Sequence, residues 1–169
     1  APGVTLPGLV YELMPGLWVW LPIEEDIPNG ITWVLNDNDL PIIEAYLQAR
    51  LVYFTAITSD PIDLELAGWK TWYADGGAAY RPSLEQRRTE GQVADLDVGV
   101  VLRPVVMGEE RTDTTAIVAD CLLDGAVFRM PDGSLAAGST LGVLLYGSAA
   151  ALEQVGLAWK VVQIGHQPE

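Results

Sequence analysis

Cysteine and histidine are nearly missing from this sequence, which has one of each, Cys121 and His166, in 169 residues. A lone cysteine cannot form an intramolecular disulfide, so packing must hold the fold together. One cysteine and one histidine cannot build a zinc or iron site, and acidic residues 24–26 lack the ligand spacing of a calcium loop. We therefore predict no metal. We expect Cys121, in an apolar segment, to be a buried small side chain, and His166 to be a solvated tail residue.

Basic residues are also scarce. The chain has 9 Lys and Arg against 23 Asp and Glu, a formal charge of −14. Nucleic-acid affinity comes largely from Lys and Arg that displace counterions, so we predict no nucleic-acid partner. The sequence also lacks a glycine-rich phosphate loop and a Gly-x-Ser-x-Gly nucleophile elbow. Hydrolases of those designs are excluded, and we predict no cofactor.

Long apolar runs are absent as well. No segment reaches the roughly 18 to 20 apolar residues that span a bilayer, and the densest one, 141–152, is interrupted by Gly142, Gly147 and Ser148. We therefore predict no transmembrane segment. The chain opens on Ala1 rather than Met, which favours removal of a signal or anchor segment and an extracytoplasmic location. Trimming of the chain is the alternative explanation for that start.

Half of the residues are apolar, enough to build one core in a chain of this length. Proline and glycine recur through residues 1–37 and block regular helix there. Between them, 17–21 and 31–35 are apolar runs of strand length that contain tryptophan. We predict that residues 1–37 form a Pro/Trp-rich arm packed on a domain formed by residues 38–169.

The clearest helix is predicted over 42–58, where Asn38 and Asp39 offer cap oxygens and Pro41 fits the first turn. At 100° per residue its apolar residues form one stripe, with Arg50 in the middle. The residues of the stripe are Ile43, Tyr46, Leu47, Tyr53, Phe54 and Ile57. A second helix is predicted at about 61–74 and a short third one at about 81–88, closed by Gly91.

The remaining residues show strand patterns separated by polar, glycine-bearing turns. We predict strands of an antiparallel sheet at about 92–106, 114–130, 139–151 and 157–165. Gly125 indicates a bulge within the unusually long second strand. The predicted fold class is α+β, with the helices first and a curved sheet around them.

This order resembles the NTF2-like superfamily over residues 38–165. The likeness depends on the aromatic-rich first helix that ends at 56–61, the break into strands at Gly91, and the last strand at 157–164. The resemblance implies a cone in which N-terminal helices pack into a strongly curved antiparallel sheet, with a mouth that admits a small ligand or a partner. It also implies pairing of two copies through the sheet. A shared fold does not assign a role.

Arg50 is the most informative position, because a guanidinium on an apolar helix face is costly without a compensating partner. We expect Arg50 and Asp120 to meet inside the cone, as a structural ion pair or as a catalytic pair. The candidate catalytic residues are Asp120, Arg50 and Tyr46. The candidate ligand-binding residues are Tyr46, Arg50, Tyr53, Trp72, Asp97 and Asp120.

Two functions stay open from the sequence. The first is a non-enzymatic module that binds a small apolar or mixed-polarity ligand, or a protein. The second is a small-molecule isomerase, dehydratase or hydrolase that uses an acidic residue in the cavity, since related enzymes pair an Asp base with a Tyr, Asp or Arg helper. Trp18, Trp20 and Trp33 are either packed or part of a partner surface.

Overall fold

The computed structural model describes residues 9–27 and 30–167 and has a mixed α+β fold. The helices are α1 (Leu40–Thr58), α2 (Gly68–Trp72) and α3 (Arg81–Thr89). The strands are β1 (Leu9–Met14), β2 (Leu17–Leu21), β3 (Glu24–Ile27), β4 (Ile31–Val34), β5 (Val93–Asp95), β6 (Val100–Leu102), β7 (Pro104–Val106), β8 (Thr115–Asp124), β9 (Val127–Arg129), β10 (Leu144–Val155) and β11 (Ala158–Gln167). The expectations for residues 1–8 and for the side chain of His166 lie outside the described residues.

A seven-stranded sheet dominates the fold. Its order is β1-β2-β6-β8-β10-β11, and β7 follows β6 along the same edge of β8. The strands pair antiparallel except that β2 runs parallel to β6. The predicted purely antiparallel sheet is therefore wrong at this point. Parallel neighbours need a long crossover, and here the chain between β2 and β6 includes all three helices.

Helix α1 lies against this sheet and begins two residues earlier than predicted. It contacts β5, β7, β8, β10 and β11, strands that are distributed over residues 93–167. Residues on the predicted stripe are buried, including Ile43, Tyr46 and Phe54, and so is Arg50. The 3.6-residue period thus predicted correctly which face of the helix packs inward.

The second predicted helix is mostly wrong, because only Gly68–Trp72 is helical. In the preceding segment the Asp63 carboxylate accepts a hydrogen bond from the Glu65 backbone N–H. Such a local bond competes with helix formation. Ile62 and Leu64 are both buried, so this segment packs with a two-residue alternation.

The third predicted helix is confirmed as α3, and Gly91 follows it with a positive φ of 69°. The predicted strand at 92–106 is instead three short strands, and the one at 114–130 divides into β8 and β9 at Gly125. A side chain at Gly125 would meet the Gly99 carbonyl oxygen at 2.7 Å, so the close approach of two backbones requires glycine here. Strand β10 starts and ends later than predicted.

Cys121 is exposed, which contradicts the sequence prediction. On β8 the buried positions are Ala116, Val118, Asp120 and Leu122. Successive side chains of a strand point to opposite faces, so Cys121 lies on the outer face of the sheet. None of the described helices is long and apolar enough to cross a lipid bilayer.

Replacement of Gly77 tests the packing between α2 and the loop that follows it. Gly77 has φ of 80°, and a Cβ there would lie 2.4 Å from Trp69 Cε3. Gly133 has nearly the same φ, 83°, with open space around it, and provides the matched control. Alanine at either positive φ costs about 1–2 kcal/mol, and the clash at Gly77 adds about 1–3 kcal/mol.

We expect Gly77→Ala to lower the unfolding free energy, measured in urea, clearly more than Gly133→Ala does. Equal losses in the two variants would show that Trp69 is not packed against this loop as described.

Candidate functional site

Asp120 is a carboxylate in the middle of the core. It occupies an inward-facing position of β8, and only 1% of its surface is exposed. Its neighbour across the ladder on β10 is Ser148, which is also buried. A carboxylate in such a place must be hydrogen-bonded or protonated, because an isolated buried charge is very costly.

Both carboxylate oxygens of Asp120 have a donor. The Tyr46 hydroxyl on α1 donates to Oδ2 at 2.7 Å, and the Arg103 backbone N–H donates to Oδ1 at 2.7 Å. Arg103 lies between β6 and β7, and Pro104, which follows it, stands opposite Asp120 in the ladder. Proline has no N–H to give to the ladder. Asp120 therefore closes the gap between two short strands and also ties the sheet to the long helix.

The pKa values of this pair follow from their burial. Burial raises the pKa of Asp120, and the bonds from Tyr46 and Arg103 and the charge of Arg50 oppose that rise. Burial raises the pKa of Tyr46 well above its usual value, and the neighbouring Asp120 raises it further. At neutral pH the tyrosine is consequently a neutral hydrogen-bond donor to its acidic partner.

Arg50 lies one helical turn beyond Tyr46 and is 4% exposed. Its guanidinium carbon is 5.5 Å from the Tyr53 ring centre and 5.1 Å from that of Phe54. Within the described part of the chain, Arg50 has no ion pair, and its buried Nε has no hydrogen-bond partner. Burial opposes the charge, but the neighbouring tyrosines and Asp120 outweigh it, and the pKa of Arg50 is raised.

The expected meeting of Arg50 and Asp120 is therefore only partly right. Both lie in the interior, and the positive charge of Arg50 opposes the rise in the pKa of Asp120 that burial causes. The direct partner of Asp120 is Tyr46, which is on the same helix as Arg50. Cation–π attraction to two rings takes the place of the predicted ion pair.

A cluster of aromatic rings covers Arg50. Tyr53 and Tyr80 have ring centres 5.1 Å apart, Tyr73 and Tyr80 are 5.7 Å apart, and Trp69 packs on Tyr73 at 5.2 Å. The Tyr73 hydroxyl donates to the Ala49 carbonyl oxygen at 2.8 Å, so this cluster is fixed to α1. Trp69 and Tyr73 are both buried in the core.

The other two predicted ligand residues lie apart from Asp120. Trp72 is half-buried at the end of α2 and packs on the edge of the core. Asp97 is exposed on the turn after β5, where its backbone N–H donates to Asp95. With Met14 and Thr58 it lines an open groove of about 600 Å³. The structure does not bring Asp97 together with Arg50.

Sequence reasoning missed Arg103. Its guanidinium pairs with Glu25 at 2.7 Å and stacks 4.1 Å from the Trp20 ring centre. These contacts fix residues of the N-terminal arm to the centre of the sheet. The only signal was the pair Arg103-Pro104, where a proline inside an apolar strand indicates an interrupted ladder.

Comparison with known proteins gives a fold likeness. The structure is similar to the intermembrane space region of the chloroplast protein ARC6, with a TM-score of 0.58 and 12% identity over 80% of this chain and all of that one. A second neighbour, Bd1075 of Bdellovibrio bacteriovorus, has a TM-score of 0.36 and 12% identity over 90% of this chain and 61% of that one. No protein-family model and no curated protein sequence matches the chain. The first likeness shows the fold alone.

The raised pKa of Asp120 predicts a specific pH dependence of stability. The folded state holds the Asp120 proton to a higher pH than the unfolded chain does. The stability from this group is complete below an unfolded pKa of about 3.9 and is lost as the pH rises through the folded value.

We expect the unfolding free energy of the natural protein, relative to Asp120→Asn, to be highest near pH 4 and to decrease as the pH rises through the folded pKa of Asp120. Urea unfolding of both proteins across this range measures the difference. Exposed Asp97→Asn controls for the loss of one carboxylate. If the unfolding free energy of the natural protein relative to Asp120→Asn instead increases with pH, the folded protein stabilises Asp120 as a carboxylate.

Proposed function

We propose that this chain is a non-enzymatic interaction module with the cone shape of the NTF2-like superfamily. The cone is supported by helix α1, which contacts β7, β8, β10 and β11 of the large sheet and also β5. The likeness to the ARC6 region, with a TM-score of 0.58, is compatible with this proposal but does not test it.

The observation that carries the non-enzymatic proposal is the burial of Asp120 within the core. Its two oxygens already accept from Tyr46 and from the Arg103 backbone, and it is 1% exposed. A general base must come within hydrogen-bond reach of a substrate proton. A substrate could reach Asp120 only if the core around it opened, because almost none of its surface is exposed. The pair is therefore better suited to stability than to turnover.

A small-ligand form of the proposal would use Arg50 and would require the interior around it to open, since Arg50 is only 4% exposed. Arg50 carries a buried positive charge, and its Nε has no partner among the described residues. Tyr46 and Tyr53 lie beside it on α1. A ligand of mixed polarity would place a polar group at Arg50 and its apolar part against the aromatic rings.

The alternative function is a small-molecule isomerase, dehydratase or hydrolase. It is favoured by the raised pKa of Asp120 and by the adjacent Tyr46 hydroxyl, since perturbed pKa values cluster at functional sites. In such an enzyme, Asp120 would accept a proton while Tyr46 polarises the substrate oxygen.

Asp120→Asn separates these two functions. We expect the variant to fold and the natural protein to show no turnover of a β,γ-unsaturated ketone or an epoxide, the probes of acid–base chemistry in related cones. The assays are absorbance for the ketone and product analysis for the epoxide. Turnover by the natural protein that falls at least about a hundredfold in a folded Asp120→Asn variant would establish the enzyme instead.

A second copy of the chain is the first partner that we propose for the module. Asp120 points inward, and no side chain that points to the outer face of the β8 and β10 pair is charged over 117–123 or 145–151. The residues of this face are Ile117, Ala119, Cys121, Leu123, Leu145, Gly147, Ala149 and Ala151. Leu123 and Leu145 face each other across the ladder, and both are exposed. Such an apolar face suits an isologous dimer contact.

We expect a homodimer at micromolar concentration and a monomer for Leu145→Lys, because a charge in the middle of an apolar contact is costly to bury. Size-exclusion chromatography with light scattering measures the mass. Leu157→Lys is the control, since Leu157 is 99% exposed at the tip of the last hairpin. If the natural protein is a monomer under these conditions, the proposed homodimer is wrong.

A further inference from the structure

A surface cleft lies between two segments on the same side of the fold. One wall is β4 and the loop before α1, and the other is the end of β7 with the short 3-10 helix Gly108–Glu110. The cleft has a volume of about 290 Å³, and its apolar lining includes Trp33, Val106 and Met107. This volume is at the lower end of the range of about 300–1,000 Å³ for small-molecule pockets. The cleft is therefore suited to one apolar side chain.

The wall of this cleft contains a hydrogen-bond donor without an acceptor. Trp33 is 5% exposed, and its indole Nε1 has no partner among the described residues. A buried indole N–H normally finds a partner, and leaving it without one costs about 1–3 kcal/mol. Because this nitrogen has almost no solvent-accessible surface, an occupant of the cleft contacts the Trp33 ring rather than its N–H.

The rim of the cleft is acidic. Glu109 and Glu110 are exposed, and neither has an ion pair within the part of the chain that the structure describes. Asp39 also lines the cleft, but it is already held by Asn36 and by Arg111, whose Nε lies 3.4 Å from its carboxylate. Two uncompensated carboxylates therefore remain at the mouth.

From the apolar lining and the acidic rim we propose that the cleft docks a basic peptide segment of a partner protein. An apolar side chain of the segment enters between Trp33 and Met107. Lysine or arginine residues beside it pair with Glu109 and Glu110. The proposal rests on the interaction role proposed above and names a partner of opposite charge for it.

Charge decides among the possible occupants. A second copy of this chain has a formal charge of −14 and would be repelled from an acidic rim. Anionic ligands are disfavoured for the same reason. A basic segment is attracted, and Trp and Met are residue types enriched where proteins meet. The dimer face and the cleft are therefore separate surfaces with different partners.

The probe is a short lysine peptide with one central leucine, titrated into the full chain labelled with nitrogen-15. We expect the indole N–H resonance of Trp33, identified by its loss in Trp33→Phe, to shift on binding. The double variant Glu109→Gln with Glu110→Gln should weaken binding about threefold to tenfold. The matched control is Glu85→Gln with Glu153→Gln, two exposed acids elsewhere on the surface, and it should bind like the natural protein.

Two further peptides make the result decisive. A lysine peptide without the leucine should bind at least about threefold more weakly, because the apolar pocket stays empty. A glutamate peptide with the same leucine should not bind. Equal weakening in both double variants, or an unmoved Trp33 resonance at saturation, would overturn the cleft. Neither outcome would bear on the proposed homodimer, since light scattering tests that contact independently.

Discussion

The hydrogen bond from the Tyr46 hydroxyl to the Asp120 carboxylate joins the long helix to the middle of the sheet, and the arrangement of the core depends on it. Asp120 also captures the Arg103 backbone N–H at the gap between β6 and β7. One buried carboxylate thus holds two strands and a helix in register. A polar group in this position disfavours alternative packings, because moving it would leave several buried partners unsatisfied.

Arg50 shows how the core tolerates a charge. Its guanidinium lies near two aromatic rings, a contact worth about 2 kcal/mol or more when it is desolvated. The arrangement gives the carboxylate two neutral donors and keeps the positive charge at a distance. The pKa of the acid is nevertheless raised, because the effect of burial outweighs the two donors and the cation in the same core.

The burial of Arg50 and the position of α1 could be predicted from sequence because a 3.6-residue period extends over five turns. The short α2 could not, since Asp60 and Pro61 favour a helix start although the segment up to 67 is not helical, and a local bond to Asp63 competes with helix there. Whether Cys121 points to the core or to solvent depends on the register of its strand, because a shift of one residue moves every side chain to the opposite face of the sheet. The partners of Asp120, which are Tyr46 and the Arg103 backbone N–H, are far from it in sequence. The long helix could therefore be predicted from local signals, whereas pairings across the sheet could not.

The distribution of charge separates the interior of this protein from its surface. With 23 acidic residues in the chain, the uncharged outer face of β8 and β10 stands out, because acidic side chains are common elsewhere on the surface. Excess negative charge repels acidic proteins from most of the molecule, so contact between two copies requires a face without charge. An acidic rim favours partners of the opposite charge in the same way. Charge thus restricts which partner meets which surface, while the buried Tyr46–Asp120 pair maintains the framework on which both surfaces lie.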